Sequence, residues 1–397
     1  MTTTGGPLPT RTLAFLAAAS FASSVSLRAA DPILPEIALS FSTTPGDAAK
    51  VVTFFGAAYA LAQFAYGIIG DRFGKLRTIA VATILSAAST LACAIAASLE
   101  ILIVARIAVG LTAAAIIPLS MAWLGDVVSY ERRQSVLAGF LSGQISGIVL
   151  GQVFSGVIAE HFGWRFVFVL IAAVFFVTGA AVALELKRRG GQSPMASETA
   201  GSTLARIASM LRSPWVAVVL ASVFFEGMFF FGAFTFVGSH LWARFGLGFD
   251  LVGLIVAGFG VGGLIYSATA GRLVRHLGEP GLVSWGGVLV AVAFIAISAA
   301  SVPLAVAPAT ILAGFGYYMI HNTLQTNATQ MAPATRGLAL GAFSSCLFLG
   351  QALGVALAAP IFDYTGGVPI FLAGGFLLAL LAFAFRRFLR SRQSGLR

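Results

Sequence analysis

The most constraining feature of this 397-residue chain is a succession of apolar runs, each about the length of one membrane crossing. A helix needs roughly 20 predominantly apolar residues to cross the hydrocarbon core. Runs of that kind can be drawn at 11–39, 51–70, 78–97, 101–124, 135–158, 166–186, 215–242, 251–273, 282–300, 304–327, 339–362 and 368–385. Backbone polar groups in lipid must be satisfied internally, which leaves helices or a closed barrel. The runs are too long for barrel strands and lack their two-residue alternation, so the sequence predicts an all-α membrane protein with twelve transmembrane helices. Charged residues make up 10% of the chain, against roughly 25% in a soluble domain. No large soluble domain fits beside the spans.

The formal charge of +10 could suggest a nucleic-acid partner, but its distribution excludes one. Once the spans are drawn, Lys50, Arg165 and Arg244 fall on one side, and Arg28 and Arg106 lie within spans. All other Lys and Arg fall on the opposite side. An excess of cations in short loops marks the cytoplasmic face, so both termini are expected there, in a multi-pass protein of the cell inner membrane. Residues 1–10 lack a basic leader region, so the first run is expected to be retained. Cys93 and Cys346 sit in apolar runs and read as packing residues. No metal-ligand spacing, cofactor motif or clustered catalytic set is present, and an enzyme is not expected. Gly258-x-Gly260-x-x-Gly263 matches a dinucleotide fingerprint as text, yet it lies within a span with no strand before it and reads as a packing face. The loop text GDRFGKL lacks the spacing of an ATP-binding loop.

The connection between the second and third runs reads GIIGDRFGKLR, from Gly67 to Arg77. Its glycines, Gly67, Gly70 and Gly74, allow close backbone approach and chain reversal. Asp71, Arg72, Lys75 and Arg77 are packed into it. This pattern resembles the loop 2–3 signature of the major facilitator superfamily of transporters. The resemblance implies two pseudo-symmetric six-helix bundles that alternate access to a central cavity. It also implies that the loop latches the halves when the cavity faces outward. The acid, Asp71, would meet the N-terminus of the eleventh span near Arg336–Gly337, and basic residues would meet an acid at the end of the fourth. We expect a network of Asp71, Arg77 and Asp126, because a helix N-terminus favours an anion.

The segment 187–213 is polar and reads as a cytoplasmic linker with a surface helix. It divides the chain into a first bundle at 1–186 and a second at 214–397 with a basic tail. The halves echo each other. Gly147, Gly151 and Gly163 recur 203 residues later as Gly350, Gly354 and Gly366, as does Arg133 at Arg336. Gly67-x-x-x-Asp71-Arg72-x-Gly74 recurs 204 residues later as Gly271-x-x-x-Arg275-His276-x-Gly278. Internal repeats of this kind are a transporter feature.

Charges inside spans are costly, roughly 2.5–3.5 kcal/mol each at mid-bilayer. Arg28 and Asp31 lie in the first span, Arg106 in the fourth and Glu226 in the seventh. His321, Asn322 and Gln325 lie in the tenth. In the resembled fold those four spans line the cavity. Arg28 and Asp31 share one helical face and can pair. Glu226 is surrounded by aromatics, and a desolvated carboxyl suits a group that gains and loses a proton. Arg106 begins Arg-x-x-x-Gly110, similar to a fourth-span motif linked to proton transfer in the family. Asp31, Glu226 and Arg106 are therefore candidates for proton coupling, and Arg28, His321, Asn322 and Gln325 for substrate contact. Structural readings stand beside these: an ion pair for Arg28 and Asp31, a protonated interhelical acid for Glu226, a packing hydrogen bond for His321. Pro32-x-x-Pro35 closes the first span, as a gate or a plain helix end.

Gly143, Gly147 and Gly151 in the fifth span provide a packing face. The stretch resembles an antiporter motif of the family, with Ile148 and Gln152 departing from it. The tenth span and the residues after it resemble the twelve-span drug:proton antiporters and sugar-efflux permeases. The resemblance implies proton-coupled efflux of a small molecule by a monomer in the lipid bilayer. The alternatives are an importer or facilitator, and a non-transporting receptor on the same fold.

Overall fold

Where each helix stops is decided by a few residues whose backbone leaves the helical region. Among the described residues, five connections between spans turn on glycines with positive φ: Gly74 (89°), Gly163 (86°), Gly246 (64°), Gly278 (62°) and Gly366 (75°). A residue with a Cβ would be strained there. Ser98 caps the fourth span by accepting from the Ile101 amide at 3.3 Å. The structure is a computed structural model that describes residues 10–128, 130–190, 210, 212–332 and 336–395.

Among the described residues ten helices are long and apolar enough to cross a membrane, and the bent pair within Pro45–Phe73 makes an eleventh. One of the ten, Phe249–Ala299, runs for 51 residues. At 1.5 Å per residue a helix of that length spans well over twice the ~30 Å hydrocarbon core. The chain breaks at Gly278 (φ 62°, ψ 173°), which divides it into the eighth and ninth spans and brings the number to twelve. In order, the spans are Thr10–Ser40, Lys50–Phe73, Lys75–Ala94, Leu99–Val127, Tyr130–Phe162, Trp164–Arg188, Pro214–Phe245, the pair within Phe249–Ala299, Pro303–Met331, Arg336–Thr365 and Gly367–Gly395. No strand occurs among the described residues.

The first span does not end at its prolines. The helix breaks after Arg28, passes through a 3-10 turn at Asp31–Ile33, and resumes as Leu34–Ser40. Pro32 removes one backbone donor, and the following turn absorbs the defect. The seventh span breaks in the same way between Phe234 and Val237. The twelfth continues to Gly395, ten residues beyond the end of its apolar run. Arg386, Arg387, Arg390 and Arg392 carry it into water, because helix and hydrocarbon need not end together. Most of the expected linker, 191–209 and 211, lies outside the described residues.

Six helices form each bundle. The fifth span packs on the first, the third on the sixth, and the second on the fourth. In the other bundle the eleventh packs on the seventh, and the ninth on the tenth and twelfth. The repeat seen in sequence is a repeat of contacts. A Cβ at Gly147 would strike the Phe21 carbonyl, and one at Gly350 would strike the Phe224 carbonyl. Gly151 sits against Val25 and Gly354 against Met228. Both partners are offset by the same 203 residues as the glycines. Among the described residues nothing lies within 4 Å of the Cβ position of Gly143.

The bundles meet along two seams, second span against eleventh and fifth against eighth. One end of the molecule, the basic face, carries the Asp71 loop; the other is the far face. Near the far face, Gly46 meets Ala359, and Gly156 meets Phe249 and Gly253. Toward the basic face, Gly67, Gly143, Gly271, Gly337 and Gly341 on the same four spans have no described residue within 4 Å of their Cβ positions. The described contacts thus close the bundles at the far face and leave them apart at the basic face. A Cβ at Gly67 accordingly meets no described residue, whereas one at Gly70 would meet the Leu119 side chain.

Candidate functional site

At mid-depth the seventh and tenth spans bring Glu226 and His321 together. His321 Nδ1 lies 2.9 Å from Glu226 Oε2, and Glu226 is fully buried. The Tyr317 hydroxyl is 3.2 Å from the same ring nitrogen, and the Tyr317 and His321 rings stack at 5.2 Å. Residues 317 and 321 are one helical turn apart, which puts both side chains on one face of the tenth span. Glu226 Oε1 makes no hydrogen bond among the described residues. The sequence offers no cation near Glu226; the fold supplies an imidazole 95 residues away. Phe230, Phe231, Phe259 and Tyr317 pack ring against ring beside it.

The first span contributes a second charged pair. Arg28 Nη1 lies 3.4 Å from Asp31 Oδ2, and both side chains are buried. The guanidinium also reaches across to the other bundle. Its Nη2 donates to Gln351 Oε1 at 3.1 Å, and its Cζ sits 3.8 Å above the Phe231 ring. A desolvated cation–π contact contributes about 2 kcal/mol. A charge placed in low dielectric is tolerable when paired and hydrogen-bonded, and Arg28 is both. The Asp31 atom Oδ1 has no hydrogen-bond partner among the described residues. The break in the first span holds this pair at the seam, where Gly238 of the seventh span packs on Pro32 and the Asp31 carbonyl.

Arg106 bonds to neither pair, although its charge lies close enough to act on Asp31. It is 1% exposed and enclosed in the first bundle. Nε donates to the Val51 carbonyl and Nη1 to the Ser26 carbonyl, each at 3.3 Å. Its guanidinium covers the Phe55 ring at 4.0 Å. It ties the first, second and fourth spans together and does not face lipid. In the tenth span, Asn322 donates to the Tyr266 hydroxyl of the eighth span at 3.2 Å. Gln325, one turn beyond His321, is half-buried. The described residues hold no His, Cys, Asp and Glu cluster suited to a metal ion.

At the basic face, Lys75 Nζ lies 2.5 Å from Asp126 Oδ2 and 3.9 Å from Asp71 Oδ1. Among the described contacts the cation reaching these acids is Lys75, where the sequence suggested Arg77. Lys75 begins the third span beside the end of the fourth, and two residues on, the helix has carried Arg77 to an exposed position. Arg72 lies over the Phe73 ring at 5.3 Å. The eleventh span begins at Arg336, as expected, and residues 333–335 before it lie outside the described residues.

Sequence reasoning missed Gln351, Tyr317 and Phe231. Gln351 carried a signal as a lone amide in an apolar run. The two aromatics carried none, since 34 phenylalanines and 7 tyrosines are spread along the chain.

Comparison with known proteins agrees with this architecture. The family model described as Major Facilitator Superfamily matches residues 16–335 and 220–396. An uncharacterized MFS-type transporter of Bacillus subtilis, YwfA, is 23% identical over 360 residues, covering 89% of this chain and 87% of that protein. The multidrug export protein EmrB of Haemophilus influenzae is 32% identical over 164 residues, or 41% of this chain. The lincomycin resistance protein of Streptomyces lincolnensis is 31% identical over 45% of this chain. The alignments span only 32% and 37% of those two proteins. A crystal structure of a peptide transporter of the POT type, solved with sulfate, superimposes with a TM-score of 0.78 at 16% identity, over 99% of this chain and 96% of that one. That likeness is one of fold. The two bundles, their repeated packing and the family match together show that this chain is a multi-pass membrane transporter belonging to the major facilitator superfamily.

Proposed function

We propose that the protein is a proton-coupled exporter of drug-sized, amphipathic small molecules, working by alternating access as a monomer. The observation that carries this reading is the Glu226–His321 contact at 2.9 Å, buried between two spans. A carboxyl group and an imidazole sharing one hydrogen bond can pass between neutral and ionised forms without leaving an isolated charge in hydrocarbon. Arg28 and Asp31 form the neighbouring group, whose state depends on contacts with the second bundle through Gln351 and Phe231. The aromatic wall suits apolar parts of a solute, and Asn322 and Gln325 offer polar contacts toward the basic face. Efflux is favoured over import by the multidrug export and resistance names of the aligned relatives. The basic face is read as cytoplasmic, with both termini there, in an inner membrane. The two bundles, 1–186 and 214–397, would rock about the chamber with 187–213 as tether.

One proton crossing ~100 mV releases about 2.3 kcal/mol, enough for a roughly fiftyfold gradient of a neutral solute. The test is transport in proteoliposomes with an imposed pH gradient, using a panel of amphipathic dyes. Glu226→Gln is expected to abolish gradient-driven accumulation while leaving solute exchange without a gradient intact. Unchanged gradient-driven accumulation in that variant would overturn the coupling role. Movement indifferent to the gradient in the unaltered protein would favour a facilitator.

A further inference from the structure

The far-face seams contain two hydrogen-bonded carboxylates that the repeat relates to each other. Glu160, in the last turn of the fifth span, accepts from the Phe249 amide at the start of the eighth span, at 2.6 Å. Asp363, near the end of the eleventh span, accepts from the Gly46 amide at 2.9 Å and the Thr44 hydroxyl at 2.7 Å, just ahead of the second span. Each bond runs from one bundle to the other. Glu160 and Asp363 are 203 residues apart, and so are Gly46 and Phe249. The contacts beneath them repeat as well. A Cβ at Gly46 would meet the Ala359 carbonyl, and one at Gly156 would meet the Phe249 carbonyl; Gly156 and Ala359 are again 203 residues apart.

We propose that Glu160 and Asp363 are a matched pair of latches that hold the far face shut, and that both release whenever the chamber opens toward that face. Three observations support this. The bonds join the two seams that must part for the far face to open. They are charge-assisted, the stronger kind of hydrogen bond. They sit where glycines let the backbones touch, so a small separation of the bundles breaks bond and packing together. An acid holding a backbone amide across the seam is lost as a unit when that seam opens, which makes the closure two-state. The inference concerns how the transporter closes and does not depend on which solute or ion it carries.

The test uses purified full-length protein in detergent, with Cys93→Ala and Cys346→Ala as background. One reporter is Val252→Cys, fully buried in the eighth span near the far face. The other is Leu338→Cys, half-buried at the basic end of the eleventh span. Labelling by a water-soluble maleimide is followed at both. Glu160→Gln with Asp363→Asn is expected to raise far-face labelling about tenfold and to lower basic-face labelling, with each single variant giving a comparable, smaller change. Glu100→Gln, an exposed acid, is the control and should change neither rate. Unchanged labelling in the double variant overturns the proposal. A rise at Val252→Cys without a fall at Leu338→Cys also overturns it, because that pattern means general loosening. Should the double variant fail to fold, the two single variants decide, by whether they shift the two reporters in opposite directions.

Discussion

The two ends of the same seams are built from the same kind of residue and are in opposite states. Glycine recurs along the second, fifth, eighth and eleventh spans at both ends. At the far face Gly46, Gly156 and Gly253 have backbone of the other bundle at their Cβ positions. At the basic face Gly67, Gly271, Gly337 and Gly341 have no described residue within 4 Å of their Cβ positions. A small residue is costly to place in a helix unless it permits close packing somewhere. The far-face glycines are in use in this state, and the basic-face glycines fit a second state in which that end closes. Among the described polar contacts between the bundles, the Glu160 and Asp363 bonds lie at the far face and the Arg28–Gln351 and Ser345–Ala60 bonds deeper in the molecule, whereas the Lys75–Asp126 pair at the basic face joins two spans of a single bundle.

The largest effect on this contrast is expected from Arg28, which braces the closed end from beneath. Arg28→Ala leaves Asp31 buried without its cation and removes the links to Gln351 and Phe231. Breaking a buried pair costs about 3–5 kcal/mol. The thermal midpoint should fall sharply, and adding Asp31→Ala should restore much of it. A midpoint unmoved by Arg28→Ala would mean the pair contributes nothing to the closed end. Next in size are paired glycine substitutions. Gly46→Val and Gly156→Val should destabilise the protein by about 1–3 kcal/mol through overpacking. Gly337→Val and Gly341→Val should leave the melting temperature alone and still reduce turnover, because they obstruct closure of the other end. Equal stability losses at both ends would erase the contrast between them. The smallest effect is expected from Lys75→Ala. Its partner Asp126 is about half exposed, and pairs of that kind contribute at most ~1 kcal/mol. Chemical denaturation should show little change, and a loss well above that range would show that the loop matters to this state as well.

Much of the site was legible in part. The sequence marked Arg28, Asp31, Glu226 and His321 as expensive residues in spans, because the cost of a charge in hydrocarbon is a local property. It could not pair Glu226 with His321, which requires two spans from one bundle to face each other at the same depth. Nor could it separate Arg106, whose backbone carbonyl partners carry no side-chain signal. Glu160 and Asp363 stood in the same repeat register as Gly163 and Gly366 and were overlooked, since acids near span ends look like ordinary loop charges. Lys75 displaced Arg77 because a one-residue connection fixes which side chain points back at the fourth span.

By itself the sequence determined the membrane class, the twelve helices and the doubled architecture. Hydrocarbon length, backbone satisfaction and glycine spacing act along the chain and can be read from it. Only the tertiary structure decided which end is shut, which buried charges meet and which acids bridge the bundles. Those outcomes depend on contacts between residues far apart in sequence. Glycines occur at the open and the closed end alike, and only their neighbours in space tell which is which.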